Sequence, residues 1–196
     1  LREVHPAVPS SFGSRVLLTH WNINGLRARL RDEQGRLAKY LNSHNFDIIC
    51  FNEAKLAQEA FEELNIAQHP LFANYSQYWA FPRHRRGYSG TAVLSRERPL
   101  AVTEGVGADE FDEEGRALTL EFERFIVVAV YVPNVGGGLV RLPGRVGTWD
   151  TALRAHVTAL GTRKPLLLVG DMNVAHNPID LRRPKSNEGG ACYTLE

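Results

Sequence analysis

The chain has 196 residues, 43% hydrophobic and 23% charged, with 10 Pro beside 17 Gly, which excludes disorder or a collagen-like repeat as its main state and suits one large domain or two small ones. Lys and Arg number 23 against 22 Asp and Glu, a net charge of +1, so an anionic partner must be sought in local clusters and not in an overall basic field. Two cysteines, Cys50 and Cys192, exclude a disulfide framework, and no apolar stretch approaches the ~20 residues of a membrane-spanning helix.

Residues 1–14 are expected as an N-terminal tail, Pro/Ser/Gly-rich from 5 to 14 and without the basic-then-apolar order of a signal sequence. Arg15 to Trp21 is short, apolar and β-branched, a buried strand that delivers Asn22-Ile23-Asn24-Gly25 to a loop. Leu37, Tyr40 and Leu41 recur at helical spacing within 33–45, and Phe46 to Phe51, which contains Cys50, reads as a second buried strand. The string Asn52-Glu53-Ala54-Lys55 follows at once and puts a carboxylate where that strand runs out. Tyr75 to Phe81 and Gly90 to Leu94 read as hairpin partners across the basic loop Pro82 to Ser89. Arg116 to Phe122 and Arg124 to Val132 make another hairpin, 149–160 an amphipathic helix, and Leu166 to Val169 a short strand ending in Gly170-Asp171-Met172-Asn173-Val174-Ala175-His176. Strands mixed with hairpins and a few helices imply an α/β layered domain over 15–196, and the loop-like end from Pro184 to Glu196 carries no signal of a domain edge.

Three carboxylate or amide clusters follow apolar strands: Asn22 with Asn24, Glu53, and Asp171 with Asn173. Ligands collect at strand ends in α/β sheets, and oxygen-rich clusters without cysteine suit a hard cation such as Mg²⁺. Taken singly, Asn and Asp at these places are ordinary turn residues; it is their repetition that points to one site. Tyr131 ends the longest apolar strand and points either into that site or into the core. The loop Arg83 to Tyr88, with Arg116, Arg141, Arg145 and Lys185, offers groups able to grip phosphate, although scattered arginines are more often simple surface residues.

The strings Trp21-Asn22-Ile23-Asn24-Gly25-Leu26-Arg27-Ala28, Asn52-Glu53-Ala54-Lys55, Gly87-Tyr88-Ser89-Gly90, Glu114-Gly115-Arg116, Tyr131-Val132-Pro133-Asn134, Trp149-Asp150 and Gly170 to His176 stand in this order and resemble the motif series of the exonuclease III type of apurinic/apyrimidinic endonuclease. The likeness runs from about Val16 to Thr194. It implies a four-layered α/β sandwich, two packed mixed β-sheets flanked by helices, and Mg²⁺-dependent hydrolysis (Mn²⁺ as a substitute) of double-stranded DNA 5′ to an abasic site, with 3′-phosphatase or 3′-5′ exonuclease activity as companions. By position, the resemblance makes Glu53 the metal carboxylate with Asn22 and Asn24 as metal or water ligands. It makes Asp171 the base and a ligand, Asn173 its partner on the same water, and Tyr131 a donor to phosphate. Tyr88, Arg116, Asn134 and Arg141 would lie along the DNA.

Departures from the pattern are Asn52 and Ala54 beside the Glu, Gly137 in place of a basic residue, and Gly190, Cys192 and Tyr193 near the abasic pocket. The family's later segment, with a second Asp and a terminal Ser-Asp-His, has no counterpart in these residues, and His176 already matches the His of its own string. These 196 residues alone are therefore expected to be inactive, with the segment supplied by the rest of the chain. Alternatives are another phosphodiesterase of the same fold, or a non-catalytic DNA-binding or interaction module. The expected location is intracellular and reducing: nucleus or mitochondrion in a eukaryote, cytoplasm in a bacterium.

Overall fold

A computed structural model describes residues 2–4 and 12–194. In chain order the strands are β1 (Arg2–Val4), β2 (Leu18–Asn22), β3 (Ile48–Asn52), β4 (Ser76–Ala80), β5 (Thr91–Ser95), β6 (Ala101–Glu104), β7 (Ala117–Glu121), β8 (Ile126–Tyr131) and β9 (Leu166–Asp171). The helices are α1 (Leu26–Leu30), α2 (Arg36–Ser43), α3 (Gln58–Glu63), α4 (Asp109–Asp112), α5 (Leu142–Gly144), α6 (Thr151–Gly161) and α7 (Pro184–Asn187), and a π-helical turn at Arg145–Asp150 joins α5 to α6.

Two mixed sheets form, one ordered β2-β3-β5-β4 and the other β1-β6-β7-β8-β9. Ile48, Cys50 and Val93 of the first meet Val102, Leu118, Leu120, Val127 and Ala129 of the second, so the sheets pack face to face. On the outer face of the first, Ile49, Phe51, Ala92 and Leu94 pack with Leu26, Leu37 and Leu41 from α1 and α2. On the outer face of the second, Ile126, Val128 and Val130 pack with Trp149 and with Leu153 of α6. The result is the expected four-layered sandwich. Strands covered on both sides need apolar residues at every position, and every residue of β3, β5 and β8 is buried.

The hairpins β4/β5 and β7/β8 form as the sequence pattern implies. Other boundaries differ. β2 runs from Leu18 to Asn22, and α2 begins at Arg36, after Gly35 in the left-handed region. The short strand β6 lacks a long apolar run, and its pairing with β7 creates it. The expectation of a tail over 1–14 is corrected at two points. Arg2–Val4 extends the sheet beyond β6, and Phe12 is buried against Phe122 and Phe125; Leu1 and residues 5–11 lie outside the described residues.

The site is positioned by parallel pairing at strand C-terminal ends. β2 and β3 align Asn22 with Asn52, and β8 and β9 align Tyr131 with Asp171. Gly170 has φ 145, and a Cβ there would lie 1.8 Å from the Val130 carbonyl oxygen. Only glycine permits so close an approach of β9 to β8, and Asp171 is carried in with it.

Candidate active site

Asn22 joins the two sheets. Its amide nitrogen donates to Glu53 Oε1 at 2.8 Å and to Asp171 Oδ2 at 2.7 Å, while its oxygen accepts from the backbone of Asn24. The carboxylates after β3 and at the end of β9, far apart in sequence, thus share one amide. The Tyr131 hydroxyl donates to Glu53 Oε1 at 2.9 Å, and Lys55 Nζ lies 2.9 Å from Glu53 Oε2 and 2.5 Å from Asn24 Oδ1. Burial opposes ionisation of Glu53, but the bonds from Asn22, Lys55 and Tyr131 outweigh it and hold the carboxyl below its ordinary value. Burial, reinforced by the Glu53 carboxylate, pushes the Tyr131 hydroxyl up, so it stays protonated and remains a donor.

Asp171 is held from three sides. Its Oδ1 accepts from the Asn173 N–H at 3.0 Å, its Oδ2 accepts from Asn22, and its own N–H donates to Asn52 Oδ1 at 2.9 Å. Asn52, fully buried, also contacts His20 Nε2 at 2.7 Å. Asn173, with φ 47, donates from its amide to Val132 O at 2.8 Å and accepts from Asn134 Nδ2 at 3.0 Å. Asn134 also donates to Cys192 Sγ at 3.4 Å. The Arg145 guanidinium donates to Asn173 O at 2.7 Å and to Met172 O at 2.9 Å. Arg145 is therefore a buried clamp on the loop that carries Asp171 and Asn173, not a surface group for phosphate.

The sequence grouping of Tyr88, Arg116, Asn134 and Arg141 along DNA needs correction at Arg116, which is 1% exposed. Its three guanidinium nitrogens donate to Glu114, to Tyr131 O and to the Tyr88 hydroxyl, and its plane lies 4.7 Å from the Tyr131 ring centroid. A guanidinium so engaged orders the two tyrosines and cannot reach phosphate. Arg141, more exposed, shares Glu114 and the Tyr88 hydroxyl, and Asn134 faces Asn173. Asn52, Lys55, Glu114 and the clamp function of Arg145 were not assigned from the sequence. Only their place in or beside the motif strings hinted at them.

Of the expected cation ligands, Glu53 and Asn24 already enclose a positive group, the Lys55 ammonium, so their oxygens suit a cation. Asn22 turns nitrogen toward both carboxylates, and the Asn173 amide is tied to Val132 and Asn134; both therefore act here as braces. Among the described residues no cluster of three or more His, Cys, Asp or Glu forms. One or two carboxylates with amides and water is the arrangement that suits Mg²⁺. Lys55 also lines a cavity of about 760 Å³ with Arg27, Arg31, Arg86, Glu59 and Glu63.

Comparison with known proteins gives the family. The endonuclease/exonuclease/phosphatase family matches residues 19–194, and the chain belongs to that family. It is 43% identical over 183 residues to the DNA repair nuclease APEX1 of Danio rerio, covering 93% of this chain and 57% of that protein. It is 41% identical to an exodeoxyribonuclease of Bacillus subtilis, covering 90% and 66%. Among solved structures, the 3′-5′ exonuclease NExo of Neisseria meningitidis has a TM-score of 0.70 at 26% identity, covering 91% of this chain and 66% of that one. The AP endonuclease LMAP of Leishmania major has 0.70 at 30% identity, covering 88% and 61%. The chain thus spans about three fifths to two thirds of the length of these relatives. The family generally depends on a divalent metal.

Proposed function

We propose that the complete protein is a Mg²⁺-dependent DNA repair nuclease that hydrolyses the phosphodiester 5′ to abasic sites, with 3′-end processing as a second activity on the same site. The observation that carries this reading is the single Asn22 amide bridging Glu53 and Asp171, which joins a cation-attracting pair to a braced carboxylate across the two sheets. Glu53 and Asn24 would hold the cation, which when bound offsets charge developing on phosphate oxygens. Asp171, with both oxygens already receiving N–H groups, accepts the proton of an attacking water while Asn22 and Asn173 fix its direction. Tyr131 keeps its proton, which it gives to Glu53 Oε1 in this structure and would turn to phosphate where negative charge grows, and Arg116 and Arg145 bond the backbone of Tyr131 and of the Met172–Asn173 loop. The basic cavity beside Lys55, with Tyr88 and Arg141, takes backbone phosphates.

Abasic specificity is supported by the likeness to the AP endonuclease of Leishmania major and by the low cost of extruding a sugar that carries no base. The 3′-end activity is supported by the likeness to the 3′ phosphatase NExo of Neisseria bound to product DNA, at 25% identity. An intracellular, reducing location suits the buried thiol of Cys50, which burial raises to about 12. The test is incision of a duplex containing a tetrahydrofuran abasic analogue by the complete protein. Cleavage 5′ to the analogue in Mg²⁺ that stops in EDTA is expected, and undiminished cleavage in EDTA refutes the proposal.

A further inference from the structure

The cation-attracting pair Glu53 and Asn24 is already filled from within the chain. Lys55 Nζ lies within hydrogen-bond distance of Glu53 Oε2 and of Asn24 Oδ1, while Glu53 Oε1 is taken by Asn22 and Tyr131. Oε2 is thus the carboxylate oxygen left for a cation, and an ammonium stands on it. The backbone that presents these groups is pinned. Asn24, Glu53 and Lys55 all have φ near +50, at 49, 53 and 53. Gly25 N donates to Glu53 O at 2.7 Å, Leu26 N to Ala54 O at 2.9 Å, Ala54 N to Gly90 O at 3.1 Å and Lys55 N to Ser89 O at 2.9 Å. Any yielding must come from the flexible stem of Lys55, whose side chain is 34% exposed and also lines the basic cavity.

We infer that Lys55 is a built-in placeholder cation: Mg²⁺ gains Glu53 and Asn24 only by displacing its ammonium, which then swings into the cavity lined by Arg27, Arg31 and Arg86 and adds to the positive surface for phosphate. A monovalent and a divalent positive charge cannot share Glu53 Oε2 at such separations without strong repulsion. The displaced ammonium joins three arginines, only partly offset by Glu59 and Glu63 in the same lining, so its swing becomes more favourable when an anion is present. Cation and phosphate binding are therefore coupled with the same sign, and each tightens the other. The inference rests on Glu53 being the cation carboxylate.

The test is Mg²⁺ affinity of the complete protein by isothermal titration calorimetry, in the absence of DNA, for the wild type, Lys55→Met, Lys55→Arg and Glu53→Gln. Lys55→Met keeps most of the stem's length and apolar bulk while removing the charge, and is expected to bind Mg²⁺ at least ~5-fold more tightly, a direction that a damaged fold does not produce. Lys55→Arg is expected to stay within ~2-fold of the wild type. In a second arm, anisotropy with a plain DNA duplex is expected to show that Mg²⁺ strengthens binding by the wild type more than by Lys55→Met. Mg²⁺ affinity unchanged or weakened in Lys55→Met, with binding still abolished by Glu53→Gln, overturns the placeholder inference alone. Equal binding by the wild type and Glu53→Gln overturns the reading of Glu53 and the inference together. Binding by Lys55→Met where the wild type binds none supports the inference in its strongest form.

Discussion

Replacing Arg145 by Ala removes the clamp on the loop between Asp171 and Asn173. The side chain is 11% exposed, and its two terminal nitrogens donate at 2.7 and 2.9 Å to consecutive carbonyls, those of Asn173 and Met172. Asp150 stands 3.7 Å from Nε and adds less. A hydrogen bond to a charged group contributes about 1.5–3 kcal/mol, so the two together set an upper bound of about 3–6 kcal/mol. Water entering the vacated space recovers part of that, and the expected destabilisation is about 2–4 kcal/mol, read as a lowered urea midpoint of the complete protein with unchanged slope. Asn173 has a left-handed backbone whose carbonyl no regular ladder pairs, so its release also loosens the N–H that holds Asp171 Oδ1. Incision kcat is therefore expected to fall by ~10-fold or more with KM little changed, because Arg145 is too buried to touch substrate. Lys can restore one of the two bonds and should recover part of both losses. A variant within about 0.5 kcal/mol of wild type refutes the clamp. A raised KM with unchanged kcat would instead make Arg145 a phosphate contact.

Asp171→Asn in the complete protein keeps shape but removes the base, so incision should drop by ~10²-fold or more while duplex binding, followed by anisotropy, persists; joint loss of binding would contradict a separate base. His156 on α6 meets Thr119 Oγ1 at 2.8 Å, and burial, partly countered by the Asp112 charge, lowers its affinity for protons below that of a free imidazole. A lowered folded value means that its stabilising share is present above the unfolded value of about 6.5 and is lost as pH falls through that value toward the folded one. His156→Gln should therefore flatten the fall in stability as pH drops below about 6.5, and an unchanged slope would remove His156 as its source.

The strands and their order in the chain were legible in the sequence wherever burial on both faces forces unbroken apolar runs, as in Ile48 to Phe51 and Ile126 to Val130. The turn chemistry that ends them was equally legible in Asn22, Glu53 and Asp171. The ordered motif strings carried the family, because several short matches in sequence constrain far more than any one of them. By themselves those residues determined that oxygen ligands would lie at strand ends. They did not determine which ends meet. That Asn22 bridges Glu53 and Asp171 depends on the register of two sheets packed face to face, a long-range relation that no local pattern encodes. The same holds for the arginines. Arg116, Arg141 and Arg145 look alike in the sequence, yet packing buries the first under two tyrosines, leaves the second partly open beside Glu114, and turns the third onto two carbonyls. A guanidinium's role is set by which acceptors and how much water surround it, and both are properties of the assembled layers.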